Sequence, residues 1–108
     1  MMDELELACF QIISAAGVAK SSYIEAIQEA KKGNIEKAKD CIKTGEASST
    51  QGHDVHNRLL QEEASSTVLG TSLLLVHAED QLMSAENLKI VSIELIEVYE
   101  RLRVLENK

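Results

Sequence analysis

Apolar residues recur every three or four positions at the start of the chain, at Leu5, Ala8, Ile12, Ala15, Ala16, Ala19, Tyr23 and Ile27. That spacing lines one face of a helix and predicts an element over about 3–31. The acidic start, Asp3-Glu4 and Glu6, suits the positive end of its dipole. Lys31-Lys32-Gly33-Asn34 then supplies basic residues in the last turn, a glycine stop and an asparagine to cap the next helix. That second helix starts near Ile35 and continues through Ala38, Cys41, Ile42, Leu59 and Leu60. Its middle, 45–52, is rich in Ser, Thr and Gly, so a kink or local fraying is expected there. Ala64-Ser65-Ser66-Thr67 and Gly70 make the second break, and a third helix runs to about Leu105. Helices of roughly thirty residues span about 45 Å each. With short connections they pack antiparallel, which predicts an all-α, up-down-up three-helix bundle forming a single domain over 1–108.

The third helix departs from a simple one-sided pattern. Leu73, Leu74, Leu75 and Val76 point in every direction around its axis, and Ile90, Val91, Ile93, Leu95 and Ile96 nearly do so again. A helix in a small bundle needs only one apolar stripe. The surplus predicts self-association through this helix. Steps of three and four residues place Leu73, Val76, Asp80, Met83, Asn87 and Ile90 on one stripe. The neighbouring stripe holds Leu74, His77, Gln81, Ser84, Leu88 and Val91. Asp80 is therefore expected to lie buried in an apolar seam with His77 beside it. Copies of Asp80 meeting at a rotation axis would need a cation or shared protons to offset their repulsion. His77 follows four aliphatic residues and precedes a carboxylate by one turn, which fits a positioned nucleophile better than packing alone.

Composition supports the helical reading: proline is absent and aromatic residues make up 3% of the 108 positions, too few for a β-sandwich core. The net charge of −7 argues against nucleic acid and against an anionic membrane surface, and favours a basic protein partner. The longest apolar runs are expected to be too short to cross a bilayer, so no direct membrane insertion is predicted. Cys9 and Cys41 stand far apart, with no CxxC pair and no leader-like start, which suggests a reduced cytoplasmic protein with both thiols as small apolar side chains.

Leu75-Val76-His77-Ala78-Glu79-Asp80-Gln81-Leu82-Met83 resembles the active-site signature of the lactose/cellobiose-type enzyme IIA of the bacterial sugar phosphotransferase system. Further likenesses run through the chain: Ala16-Gly17-Val18-Ala19-Lys20-Ser21, then Gly33 with Ile35 and Ala38, then His53 and Glu63-Ala64. The resemblance implies a homotrimer of three-helix subunits, a nine-helix bundle in all. It implies that His77 takes a phosphoryl group from the carrier protein HPr and passes it to a cysteine of enzyme IIB. It also implies that Asp80 points to the trimer axis, where one structural Mg2+ per trimer is held. Ala78 and the aliphatic run before it lie nearer the cellobiose/chitobiose branch than the lactose branch. Three positions depart from the family pattern: Glu79 and His56 replace glutamines, and Gln81 replaces a histidine. Glu79 points mostly away from His77 on an ideal helix, and His56 offers an imidazole one turn after His53.

Other readings compete. A non-catalytic homo-oligomeric adaptor or regulator explains the apolar third helix but not His77 beside Asp80. A zinc enzyme built on His53, His56 and His77 lacks an obvious ligand set. Glu94, Glu97, Glu100 and Arg101 read as a solvated, ion-paired face.

Overall fold

The computed structural model describes residues 2–65 and 72–108. Three helices occur in order: α1 (Glu4–Lys31), α2 (Ile35–Ala64) and α3 (Leu73–Glu106). α1 begins where expected because the Asp3 carboxylate accepts the Glu6 amide at 2.7 Å, satisfying a donor that the helix leaves open. It ends at Gly33, whose φ of 89° places it in the left-handed region. The Arg103 side chain covers the space where a Cβ at Gly33 would stand. Asn34 does not cap α2 with its side chain. Its side-chain NH2 instead donates to Oε2 of the buried Glu29 carboxylate at 2.9 Å, a charge-assisted bond back to the end of α1. Of the second break, residues 66–71 fall outside the described residues; α2 closes at Ala64 and Ser65 comes next.

α1 is the central helix and packs on both others, while α2 and α3 touch each other less. Its buried residues are mostly small: Ala8, Ala16, Ala19, Ala26 and Ala30, with Cys9, Ile12 and Tyr23 among them. Small side chains let three helix backbones approach closely. Contrary to the sequence expectation, α1 is long and apolar enough to span a bilayer by length and composition, with a mean hydropathy of 1.2 over 18 residues. Only 28% of that stretch is buried, and Leu7, Phe10, Val18 and Ile24 are among the exposed apolar residues that raise its hydropathy.

The expected weak middle of α2 is an unbroken helix. Gly45 lies under the ring of buried Tyr23, and Gly52 lies against Leu82 and Ala15. Both glycines thus serve close packing. The polar residues keep the helical bonding: Thr44 and Thr50 return their hydroxyls to the carbonyls of Asp40 and Glu46. Ser49 meets the Tyr23 hydroxyl at 3.1 Å, so the buried phenol has a partner.

On α3 the core-facing stripe is Ala78, Leu82, Ala85, Ser92 and Ile96. The stripe containing Asp80 is turned to the outside, with Leu73 86% and Met83 64% exposed. Ion pairs lace the thinner α2–α3 contact, Lys39 with Glu100 at 3.8 Å and Glu46 with Lys89 at 3.4 Å, and two imidazole–carboxylate contacts join them, His53 with Glu86 and His56 with Glu79.

Candidate functional site

The start of α3 is set by Ser72, whose hydroxyl accepts the Leu75 amide at 3.1 Å. The next turn is set by packing. Ala78 and Leu82 are buried in a cluster with Ala8, Cys9, Ile12 and Leu59, flanked by half-buried Leu74 and Leu75. Locking Ala78 inward rotates His77, one residue earlier, to the surface, and the ring is exposed. Among the described residues nothing within one chain hydrogen-bonds to that ring, so one chain supplies no group that would fix its tautomer. The exposed imidazole sits on a rigid base.

Asp80 is likewise exposed in the single chain, between exposed Val76 and Met83. The expected enclosure of this carboxylate therefore requires another molecule against the same stripe. One chain brings no set of three or more His, Cys, Asp or Glu together among the described residues. A metal at Asp80 would need the same carboxylate from other copies, and carboxylate oxygens are suitable donors for Mg2+.

Glu79 points away from His77, as the helical geometry predicts, and turns to α2. Its Oε2 lies 3.0 Å from His56 Nε2, so two of the three positions that depart from the family pattern meet each other. His56 thus faces Glu79 and not His77, and His53 faces Glu86. The three histidines do not converge, and the zinc reading finds no ligand set among the described residues. The third departing position, Gln81, accepts a hydrogen bond from Lys20 Nζ of α1 at 3.0 Å. This contact escaped the sequence reading. Its only signal was a single lysine within the small-residue run 15–22.

Beneath the site, burial pushes the Cys9 thiol above its ordinary range, and the carboxylates of Glu79, Asp3 and Glu6 act in the same direction. Burial raises Cys41 as well. Both cysteines are free, buried and held as thiols, in keeping with a packing role.

Comparison with known proteins places this geometry in a family. The lichenan-specific phosphotransferase enzyme IIA component of Bacillus subtilis (strain 168) is 37% identical over 102 residues, covering 94% of this chain and 93% of its own. The crystal structure of the cellobiose-specific enzyme IIA of Bacillus anthracis superposes with a TM-score of 0.93 at 34% identity, over 96% of this chain and 95% of that one. The IIA(chitobiose)–HPr complex of the Escherichia coli N,N'-diacetylchitobiose branch matches with a TM-score of 0.82 at 30% identity, over 94% and 99% of the two chains. Residues 7–100 match the family described as PTS system, Lactose/Cellobiose specific IIA subunit. The chain belongs to that family, whose members are phosphotransferase components of sugar transport.

Proposed function

We propose that this protein is a phosphoryl carrier for sugar uptake, with residues 1–108 working as one cytoplasmic IIA domain and His77 as the acceptor. A neutral ring nitrogen of His77 attacks the phosphorus of the phosphohistidine on HPr. The new N–P bond forms as the donor N–P bond breaks, and the donor imidazole leaves with the bonding pair. A cysteine thiolate of enzyme IIB then attacks the same phosphorus, and His77 leaves as the neutral imidazole. Two proteins must reach one nitrogen in turn. The observation that carries this reading is the exposure of His77 beside the core-locked Ala78. A mobile ring would lose the orientation that in-line transfer requires, and a buried one could not be reached.

A relative of the same fold is described in complex with HPr, which supports HPr as the donor. The sugar we assign is a β-linked oligosaccharide of the cellobiose/chitobiose type, which the lichenan, cellobiose and chitobiose names of several relatives support, while others are named for lactose and galactose.

The exposed stripe of Leu73, Val76, Met83 and Ile90 supports assembly through α3, for which we propose a homotrimer. Three copies of Asp80 would then hold one Mg2+. When bound, that ion supplies positive charge that offsets the repulsion of the carboxylates. The Asp80 side chains orient no reacting group in this scheme.

The test is phosphorylation by phosphoenolpyruvate, enzyme I and HPr, read by mass spectrometry under alkaline conditions. One phosphate is expected on the peptide containing His77, and none in His77→Gln, which should keep its helical circular dichroism. No phosphate on the unaltered protein with active partners would favour an adaptor instead.

A further inference from the structure

Phosphate arriving at His77 meets an acidic protein. The net charge is −7, and Glu79 and Asp80 lie within three residues. Transfer therefore needs a donor or a cation at the acceptor. Four of the eight lysines are occupied by carboxylates: Lys32 and Lys37 by Glu29, Lys39 by Glu36 and Glu100, and Lys89 by Glu46. Lys20, like Lys31, Lys43 and Lys108, makes no ion pair among the described residues. Its distinction is a half-buried ammonium that donates to the side-chain oxygen of Gln81 at 3.0 Å.

The chemistry of that bond fixes the amide. Lysine has donors only, so Gln81 must turn its carbonyl oxygen toward Nζ, and its NH2 is left facing away. Gln81 is one turn beyond His77, at i+4 on the same side of α3. The next stripe turns Ala78 and Leu82 into the core, which holds the helix rotation for both residues. We propose that Gln81 is the hydrogen-bond donor to the phosphoryl group carried by His77, with Lys20 as the positioning residue that presets the amide and contributes positive charge. This rests on the reading of His77 as phosphoryl acceptor. A free glutamine would sample both amide orientations, half of them presenting oxygen to an anion. Lys20 removes that choice before the donor protein docks, which is electrostatic stabilisation arranged in advance.

The experiment measures phosphoryl transfer from phospho-HPr to the full chain in its assembled form, by rapid quench, with circular dichroism and sedimentation as controls. Gln81→Glu keeps a partner for Lys20, now an ion pair, but replaces the amide donor by a carboxylate. Transfer should slow by roughly tenfold or more, with helix content and assembly unchanged. Lys20→Met should slow it several-fold, and Lys20→Arg should restore it to near the original rate. A Gln81→Glu protein that folds and accepts phosphate as fast as the original overturns the proposal. If Gln81→Glu does not fold, the lysine pair decides: equal rates for Lys20→Met and Lys20→Arg overturn it. Failure of the unaltered chain to accept phosphate at His77 would instead remove the underlying reading, and the inference with it.

Discussion

Glu29 shows how far a residue's role can lie from its sequence pattern. It falls in the last turn of α1, two and three residues before Lys31 and Lys32. Its side chain is only 8% exposed and receives Asn34 Nδ2 at 2.9 Å, Lys32 Nζ at 3.5 Å and Lys37 Nζ at 3.7 Å. The asparagine hydrogen bond, helped by the two ammonium groups, holds its carboxyl below the ordinary carboxylate range, against the opposing push of burial. A group whose folded pKa is depressed is protonated more readily in the unfolded chain. Its stabilising contribution is then present above the ordinary glutamate value of about 4.3 and is lost as the pH falls through the lower folded value. Urea unfolding at a series of pH values should show Glu29→Gln less stable than the original at neutral pH, with the two curves converging in acid. Parallel curves would remove Glu29 from the account. The same limit of sequence reading applies to Glu79, His56 and Gln81. Spacing within one helix told that Glu79 points away from His77, but not that it meets His56 on another. Register between helices is set by packing, and the order of residues along one chain carries no direct record of it.

At the scale of elements, α1 and its stop were legible because they rest on local chemistry: an acidic start at Asp3, Gly33 with its positive φ, and three-to-four periodicity between them; the cap expected of Asn34 was not, since its side chain is drawn to Glu29. The middle of α2 departs from its local pattern, since glycine within a helix signals weakness only when nothing leans on it. Gly45 and Gly52 leave room for Tyr23 and Leu82, and their cost in propensity is offset by close approach. Alanine substitutions should separate these cases. At Gly17 a Cβ would meet nothing within 4 Å, so Gly17→Ala should stabilise by about 1 kcal/mol, the propensity difference alone. At Gly52 the new carbon would stand 3.1 Å from a terminal methyl of Leu82 and 3.3 Å from Ala15 Cβ. The leucine can give way, and the result should be close to neutral. At Gly45 the same carbon would overlap the buried Tyr23 ring, which is rigid and tethered to Ser49. Gly45→Ala should therefore destabilise by roughly 1–3 kcal/mol. Denaturant midpoints at fixed protein concentration would rank the three, and an order other than Gly17, Gly52, Gly45 would count against the packing argument.

The whole molecule is a rod of 62 × 25 × 20 Å, too slender to enclose every apolar face of three long helices. The surplus on α3 was visible in the sequence, and in the structure it is left on the outside with Asp80 in its midst. Covering that stripe with copies of itself would remove apolar area from water, but it would also bring like carboxylates together in a protein already at −7. Two forces then oppose each other at one position. Burying an uncompensated carboxylate is costly, whereas replacing a buried charge cluster with apolar side chains is often neutral or favourable. The proposed trimer should accordingly respond to chelation, its dissociation constant rising on the order of tenfold or more when divalent ions are removed. In Asp80→Leu the repulsion and the need for an ion vanish together, so association should be as tight as before or tighter, and indifferent to chelator. Sedimentation equilibrium of both proteins with Mg2+ and with EDTA distinguishes the possibilities. A large loss of assembly in Asp80→Leu would mean that the metal bridge itself holds the subunits. The same chelator response in both proteins would place Asp80 away from any axis. Because His77 lies on the stripe next to Asp80, the same experiment bears on the site: if the α3 faces do pair around Asp80, the imidazole proposed as acceptor stands at the edge of a subunit boundary, where a neighbouring copy can supply the orienting partner that one chain lacks.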